Sequence, residues 1–592
     1  MAARYWVGGT GNWNDINHWS TTSGGIGGAS VPTMDDDVIF DNNSGTGTIT
    51  VNTTANMRDC TFAQTQLIKL ANAAYPFNIF GNWTLCSNNY LNTSFTGTGY
   101  VYLKATTSVN ITSNGCTMAW NRLYFDGVGG TWTNQDDMNI GGSPTYISKG
   151  TWSTNNKTIS FGSITNSALD IVFTINFGSS IINARNGLIF AASVPNLIIN
   201  AGTSIINITG DWCSGAWKNY NTINYTKGTY PYAGVTNFIC NNFYHKNINS
   251  FSTISGDFIV NNNLVFEGDD STTKRTLIAS SVIGVPRTIT CNGTITASNV
   301  DFRDIIGAGA ANWDLSNITG GSGNCGGNSG ITFTPAQTQY FKHTLGAVNW
   351  SDVTKWFSNY ERTIQGRVPL PQDDAIFDEN SFTGASTLNV NVPRIGRKCD
   401  LSQINKNVAI AMLNTVQTYG GIRFSPQNTI SGNHLIQFDG HGKTFSEAIY
   451  VGVLIGYSNT FDILFSNTFA ELIIDAGRKV RFTNGTTQTI NKLTAIGTPD
   501  QPITIGSTTA GQRHTINYTG SEASTVEYCN ISDSKVTQAR RLLAKNSVNA
   551  GNNQNWGFEE LPPIALNFAQ VDKMYVGGSE VVSAYYGEMK IK

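Results

Sequence analysis

The chain of 592 residues is short of charge: Asp, Glu, Lys and Arg make up 13% of it, about half the share of an ordinary soluble domain. The 37 basic and 39 acidic residues leave a net charge of -2 and Lys and Arg lie scattered singly, so the electrostatic footprint of a nucleic-acid binder is missing. No uninterrupted apolar run of about 18 residues occurs, which excludes a membrane-spanning helix. The opening Met1-Ala2-Ala3-Arg4-Tyr5-Trp6 lacks the apolar core of a signal peptide, so synthesis in a cytosol without secretory export is expected. The nine cysteines (Cys60, Cys86, Cys116, Cys213, Cys240, Cys291, Cys325, Cys399 and Cys529) are odd in number and contain no CxxC pair. That argues against a disulfide framework or a zinc site, and for small buried hydrophobes. The six histidines show neither HxH nor HExxH spacing, which gives no support to metal or nucleophilic chemistry.

In place of charge the chain carries 61 Gly, 22 Tyr, 30 Phe and 13 Trp, with abundant Asn, Ser and Thr. Small polar residues disfavour helices and suit turns, while 11% aromatics supply enough apolar surface to exclude disorder.

The sequence repeats itself. Trp13, Trp19, Val31, Pro32, Asp36, Asp37, Ile39, Phe40 and Asp41 recur at a constant offset as Trp350, Trp356, Val368, Pro369, Asp373, Asp374, Ile376, Phe377 and Asp378. The copies also end alike. Ser298-Asn-Val-Asp-Phe-Arg-Asp304 with a glycine-rich run to Phe333 parallels Ser524-Thr-Val-Glu-Tyr-Cys-Asn530 with Asn549-Ala-Gly-Asn-Asn-Gln-Asn-Trp-Gly-Phe558. We divide the chain into a first module over 1–334, a shorter copy over 335–558 and a tail over 559–592. A length difference of this size suits the addition or loss of solenoid coils.

Within each module short β-rich runs such as Thr48–Val51, Tyr100–Leu103, Leu188–Phe190, Leu197–Ile199, Phe258–Val260, Leu264–Phe266, Leu472–Ile474 and Ile503–Ile505 stand between Gly and Asn punctuation, as strands do. Only Gln538–Asn546 reads as helical. The expected fold is all-β: two related elongated modules, each a parallel β-solenoid of about 20 residues per coil with 4.8 Å between coils. Stacked β-sandwich or jelly-roll units are the alternative. Stacking favours Asn, Thr and aromatic ladders over repeated like charges, which accounts for the charge deficit. The repeated NW…VIFD opening is expected to cap each stack against edge-to-edge pairing. In the tail, Val571, Tyr575, Gly577 and Val581 recur as Val581, Tyr585, Gly587 and Ile591. The repeat predicts a two-unit hairpin or meander that serves attachment or oligomerisation.

The opening RYWVGGTGNWNDINHWS…VPTMDDDVIFD, the closing KLTAIGTPDQPITIG…NSVNAGNNQNWGF and the tail KMYVGGSEVVSAYYGEMKI resemble virion structural proteins of tailed bacteriophages, described as tail fibres, tail spikes or other appendages. The opening also resembles repeats of secreted bacterial surface adhesins, which normally carry a signal peptide and a sorting domain. The phage resemblance implies a virion component made in the host cytoplasm, with other virion proteins as partners, host-surface polysaccharide as ligand and homo-oligomeric, preferentially trimeric, assembly. A tail fibre or spike for adsorption is the leading expectation. A head fibre or capsid decoration, a glycan-depolymerising spike and an adhesin are the alternatives.

Gly8-Gly9-Thr10-Gly11 lacks the spacing of a phosphate loop and no helix follows, so it reads as a turn. In the second copy His343-Thr-Leu-Gly-Ala replaces it. The carboxylates Asp35, Asp36, Asp37 and Asp41, with Asp373, Asp374 and Asp378, suit either the turn before a strand or a Ca²⁺ site; no other cofactor is expected. A depolymerase would draw on Asp136, Asp137, Glu267, Asp269 and Asp270, though a non-enzymatic role is preferred. The most aromatic stretch, Trp212 to His245, offers Trp217, Tyr220, Tyr225, Tyr230 and Tyr232 for glycan stacking or a subunit interface, against plain core packing.

Overall fold

In a computed structural model the chain is all-β, a parallel β-solenoid without an α-helix among the described residues. Those are residues 2–559 except 88–90, 96–98, 118–121, 192–193, 211, 227–233, 248–250, 283, 420, 424–427, 432–435, 439–448, 451–452, 456–459, 464–465, 470, 522 and 538–541, together with four tail strands. The chain divides into two compact units, residues 1–443 and 444–592.

In the first unit each coil contributes strands to three faces. On one face Thr158–Asn166, Ile181–Ile189, Ile205–Ile208, Asn219–Thr226 and Ile239–Asn247 pair in parallel, coil on coil. Alternation along each strand sends one column inward and the next outward. The inward column is Ile159, Ile182, Ile206, Ile223, Phe243 and Leu264, all buried. The outward column beside it is Ser160, Asn183, Asn207 and Asn224, rung neighbours in the same registers. Their amides bond up the stack: Asn183 donates to Ser160 (3.2 Å), Asn207 to Asn183 (2.9 Å) and Asn224 to Asn207 (2.8 Å). A second ladder runs Thr222, Asn242, Asn263, Thr294 at 3.1, 2.7 and 2.8 Å. Each amide satisfies the next without net charge, as the composition requires. Where charges do stack they alternate in sign: Lys246 sits 3.0 Å from Glu267 and Arg481 is 2.6 Å from Asp462. Coil length varies more than the sequence suggests, from 17 residues between Asn207 and Asn224 through 31 between Asn263 and Thr294 to 40 between Val348 and Leu388, because insertions at the corners leave the ladders intact.

Both copies of the opening build the same cap. Ala3–Trp6 pairs in parallel with Asp37–Phe40 and antiparallel with Trp19–Ser20. Thr338–Phe341 pairs likewise with Asp374–Ile376 and Trp356–Phe357. The antiparallel strand ends the parallel ladder and blunts its edge. A one-turn 3₁₀ helix precedes it in each copy, capped by Asp15 or Asp352. The Trp19 indole donates to Trp13 O at 2.7 Å, and Trp356 to Trp350 O at 2.8 Å. The glycine run bends at Gly8–Thr10 and then enters the short strand Gly11–Asn12: Gly9 has φ +69° and a Cβ there would meet Thr46 O at 2.6 Å, while a Cβ on Gly11 would collide with His18.

The compact units do not follow the sequence modules. The start of the second copy is locked onto the last coils of the first by a buried triad: Asp301 takes Arg275 Nε at 3.0 Å and Arg394 Nε at 2.5 Å. Gln372 donates to Ser322 O and Thr334 O (2.9 and 2.8 Å) and accepts from Asn324 N (2.9 Å). Burial alone would raise the Asp301 carboxyl, but the two guanidinium groups hold it below its ordinary value. The copies do end alike, three residues out of step with the sequence match around Asn299–Asp304 and in step with it in the glycine-rich run. Asn299 and Asp304 (φ 51° and 55°) correspond to Tyr528 and Asp533 (φ 50° and 51°). Asn328 Nδ2 reaches Phe302 O and Asn324 Oδ1 as Asn553 Nδ2 reaches Ile531 O and Asn549 Oδ1.

The second unit has the same three-sided coils. One face runs Val453–Ile455, Leu472–Ile474, Leu493–Ile496, Thr525–Glu527, Leu542–Lys545 and Trp556–Glu559. The helix expected over Gln538–Asn546 is a strand over Leu542–Lys545, with Leu542 and Ala544 buried and Leu543 and Lys545 exposed; the ladder partner outweighs local propensity. His514 is fully buried here, against Phe482 (4.6 Å between ring centroids), with Nε2 3.0 Å from Ser534 Oγ. Burial pushes its pKa from 6.5 down to about 4. Between those values the unfolded chain binds the proton and the folded chain does not. Stability is therefore complete above pH 6.5 and falls by about 3 kcal/mol as pH drops towards 4. His514→Gln should flatten that part of the pH dependence, read as the melting temperature of the variant against the parent from pH 7.5 to 4.5.

All nine cysteines are free and buried, as expected; burial raises the thiol pKa of Cys213 to about 12 and of Cys86 to about 11. In the tail, Tyr575–Val576 pairs antiparallel with Ser579–Glu580, and Ala584–Tyr586 with Met589–Ile591. These are two hairpins, with Tyr575 and Tyr585 at equivalent places; Gly577 and Gly587 lie outside the described residues.

Candidate functional site

The carboxylates singled out by the sequence are engaged within the fold. Asp36 accepts from Thr33 N and Oγ1 (3.0 and 2.9 Å), and these bonds with Arg4 nearby outweigh burial and lower its pKa. Asp37 pairs with Arg58, and Asp41 accepts from Ser23 Oγ at 2.5 Å and Asn43 N at 2.9 Å. Asp35 is exposed. In the second copy Asp373, fully buried, binds Arg367 (2.7 and 2.8 Å), Leu370 N and Gln337 N; Asp374 pairs with Arg397 (3.0 Å) and Asp378 with Arg362. The Asp37–Arg58 and Asp374–Arg397 pairs are the same cap contact made twice. Among the described residues no group of three or more His, Cys, Asp or Glu side chains is placed to hold a metal ion.

Asp136 accepts from Ser113 N (2.7 Å), Ser113 Oγ and Asn114 N, and Asp137 from Thr158 N (2.8 Å); both tie neighbouring coils together. Glu267 pairs with Lys246 and Asp269 with Lys274, each at 3.0 Å. Asp270 closes a turn: despite burial, Thr273 and the Thr272 and Lys274 amides hold its pKa at about 2.

Of the aromatics offered for glycan stacking, three are among the described residues: Tyr220 and Tyr225 are core residues, 3% and 0% exposed, and Trp217 reaches solvent, at 44%. Tyr230 and Tyr232 lie outside the described residues. Tyr220 and Tyr225 fall on the inward side of the strand Asn219–Thr226, so core packing claims them.

The outward aromatic column stands elsewhere. The strands Val101–Leu103, Leu123–Asn134 and Pro144–Ser153 pair in parallel and bring Tyr102, Tyr124 and Tyr146 into one column. Their flanking residues Val101, Leu103, Leu123, Phe125, Thr145 and Ile147 are buried, while the three tyrosines are half-buried. Successive ring centroids are 4.7 Å apart, with planes 19° and 11° from parallel. Arg122 lies against this stack, 5.0 Å from the Tyr100 ring and 5.3 Å from the Tyr146 ring, with Nη1 3.5 Å from the Tyr124 hydroxyl. That hydroxyl bond, more than burial opposes it, raises the guanidinium pKa. Two residues along, Asp126 stands opposite Lys149 in register and 3.6 Å from Lys104, whose ammonium is 5.3 Å from the Tyr102 ring. The sequence signal is a tyrosine recurring once per coil between neighbours that are mostly apolar, in Val-Tyr-Leu, Leu-Tyr-Phe and Thr-Tyr-Ile; the density of aromatics points elsewhere. On the neighbouring face a groove of about 140 Å³ is lined by Asn139, Ser160, Asn183, Arg185 and Asn207.

Such a surface offers a row of phenol hydroxyls, a fixed guanidinium and a ladder of amides, all able to form hydrogen bonds. No family model matches the chain, nor does any curated protein or solved structure.

Proposed function

We propose that this protein is an appendage of a tailed-phage virion whose solenoid serves as a rigid carrier for weak contacts with host-surface glycan. The outward column Tyr102–Tyr124–Tyr146 with Arg122 carries the reading, because it is a polar aromatic surface held in fixed register by the coils beneath it. The likeness of the opening, closing and tail sequences to phage fibre and spike proteins supports the virion setting. Several copies per particle convert a weak sugar contact into tight adsorption. The two tail hairpins are read as the attachment element, since pieces of this size hold no core of their own.

Antibody labelling of intact particles tests the setting. Label at the tail is the expected result, label on the capsid would replace the adsorption role with that of a head fibre, and particles assembled with a chain lacking residues 559–592 should carry no label.

A further inference from the structure

The tyrosine strip is built to present positive potential. Its rings stack face to face along the coil axis, so their faces are spent on one another and solvent meets edges and hydroxyls. The edge of an aromatic ring is the positive side of its quadrupole, and a phenol hydroxyl donates. Arg122 makes no ion pair among the described residues and is held in place by two rings and a hydroxyl, which lowers the entropy lost when it engages a ligand. In the next column Lys104 and exposed Lys149 flank the single carboxylate of Asp126. Three cations against one acid stand on a chain whose net charge is -2.

We infer that this strip binds a linear polyanionic glycan, bearing carboxylate or sulfate groups, laid along the coil stack with an acid group on Arg122 and successive sugar hydroxyls on Tyr102, Tyr124 and Tyr146. Charge complementarity selects the anion. The spacing selects the chain: one rung of 4.7 Å is close to the length of one sugar in an extended polysaccharide. Single-stranded nucleic acid binds protein aromatics through their faces, which this stack conceals. An added peptide strand requires a free sheet edge, and these strands are paired on both sides. The inference rests on the adsorption reading for the source of the glycan, while its chemistry stands on the strip alone.

The test uses the full chain and four probes: polygalacturonate, dextran sulfate, uncharged dextran and a single-stranded DNA oligonucleotide, each measured by interferometry. Binding to the two acidic glycans and none to dextran is expected. Arg122→Gln should weaken both by about tenfold or more, the worth of one charge-assisted contact, and Tyr124→Phe, which keeps the ring stack, severalfold. Lys479→Gln, an exposed position in the second unit, should leave affinity unchanged, and circular dichroism should show all variants folded. Equal binding to dextran, tighter binding to DNA than to either glycan, or parental affinity in both strip variants would overturn the inference. Because none of these measurements depends on particle location, a failure here leaves the virion assignment standing, and capsid labelling would leave the polyanion site standing.

Discussion

Asp301→Ala is expected to destabilise the unit of residues 1–443 by about 3–5 kcal/mol. Asp301 has no solvent exposure and Arg275 and Arg394 are each 6% exposed. Removing the carboxylate leaves two guanidinium groups facing each other in a dry interior, and Arg394 would keep only its bond to Arg275 O at 2.6 Å. The cost arises from uncompensated charge, so replacing all three residues with apolar ones (Arg275→Met, Asp301→Leu, Arg394→Met) should restore much of what the single change loses. Thermal unfolding and limited proteolysis of the two variants decide the matter. Protease sites should open between 335 and 400 in Asp301→Ala and close again in the triple variant. Parental stability in Asp301→Ala would show that the junction is held by its apolar neighbours Leu277, Ala279, Cys325 and Tyr419 alone.

The second large effect concerns the cap. Trp19 is fully buried among Trp6 (5.1 Å) and Trp13 (4.9 Å) and donates to Trp13 O. Trp19→Ala should cost about 3–5 kcal/mol, the usual penalty for emptying a buried aromatic site. It should also loosen the antiparallel strand Trp19–Ser20 that blunts the edge of Ala3–Trp6. A bared parallel edge templates further pairing, so light scattering should detect association that the parent does not show. Trp356→Ala should bring a similar loss of stability with less association, because the first coil of that copy is joined to the preceding coils through Gln372 and Arg394. Equal association in the two variants would separate the cap from edge protection.

Much of this architecture was legible before folding. The paired tryptophans and VIFD segments marked both caps because a cap repeats its sequence when it repeats its geometry. Short β-rich runs marked the strands, with Leu472–Ile474 placed to the residue. The failures have physical causes. Gln538–Asn546 carried helix formers, but a parallel ladder on each side of Leu542–Lys545 supplies its backbone with partners that an isolated helix of that length could not match. Side-chain likeness matches Phe302 with Tyr528 at the ends of the copies. The fold equates residues by backbone instead, placing left-handed Asn299 opposite left-handed Tyr528.

The scarcity of charge, the alternation of apolar and polar residues and the duplicated opening by themselves determined an all-β stacked fold. At rung spacings near 4.7 Å, identical charges repel and amides bond, and the Ser160–Asn183–Asn207–Asn224 ladder is that rule made visible. Only the tertiary structure decided which outward aromatics meet. The local pattern already separates Tyr124, between Leu123 and Phe125, from Tyr225, between Asn224 and Thr226, and alternation turns the first outward and buries the second. Register then joins three residues a coil apart in the chain into one surface, which no local stretch of sequence contains.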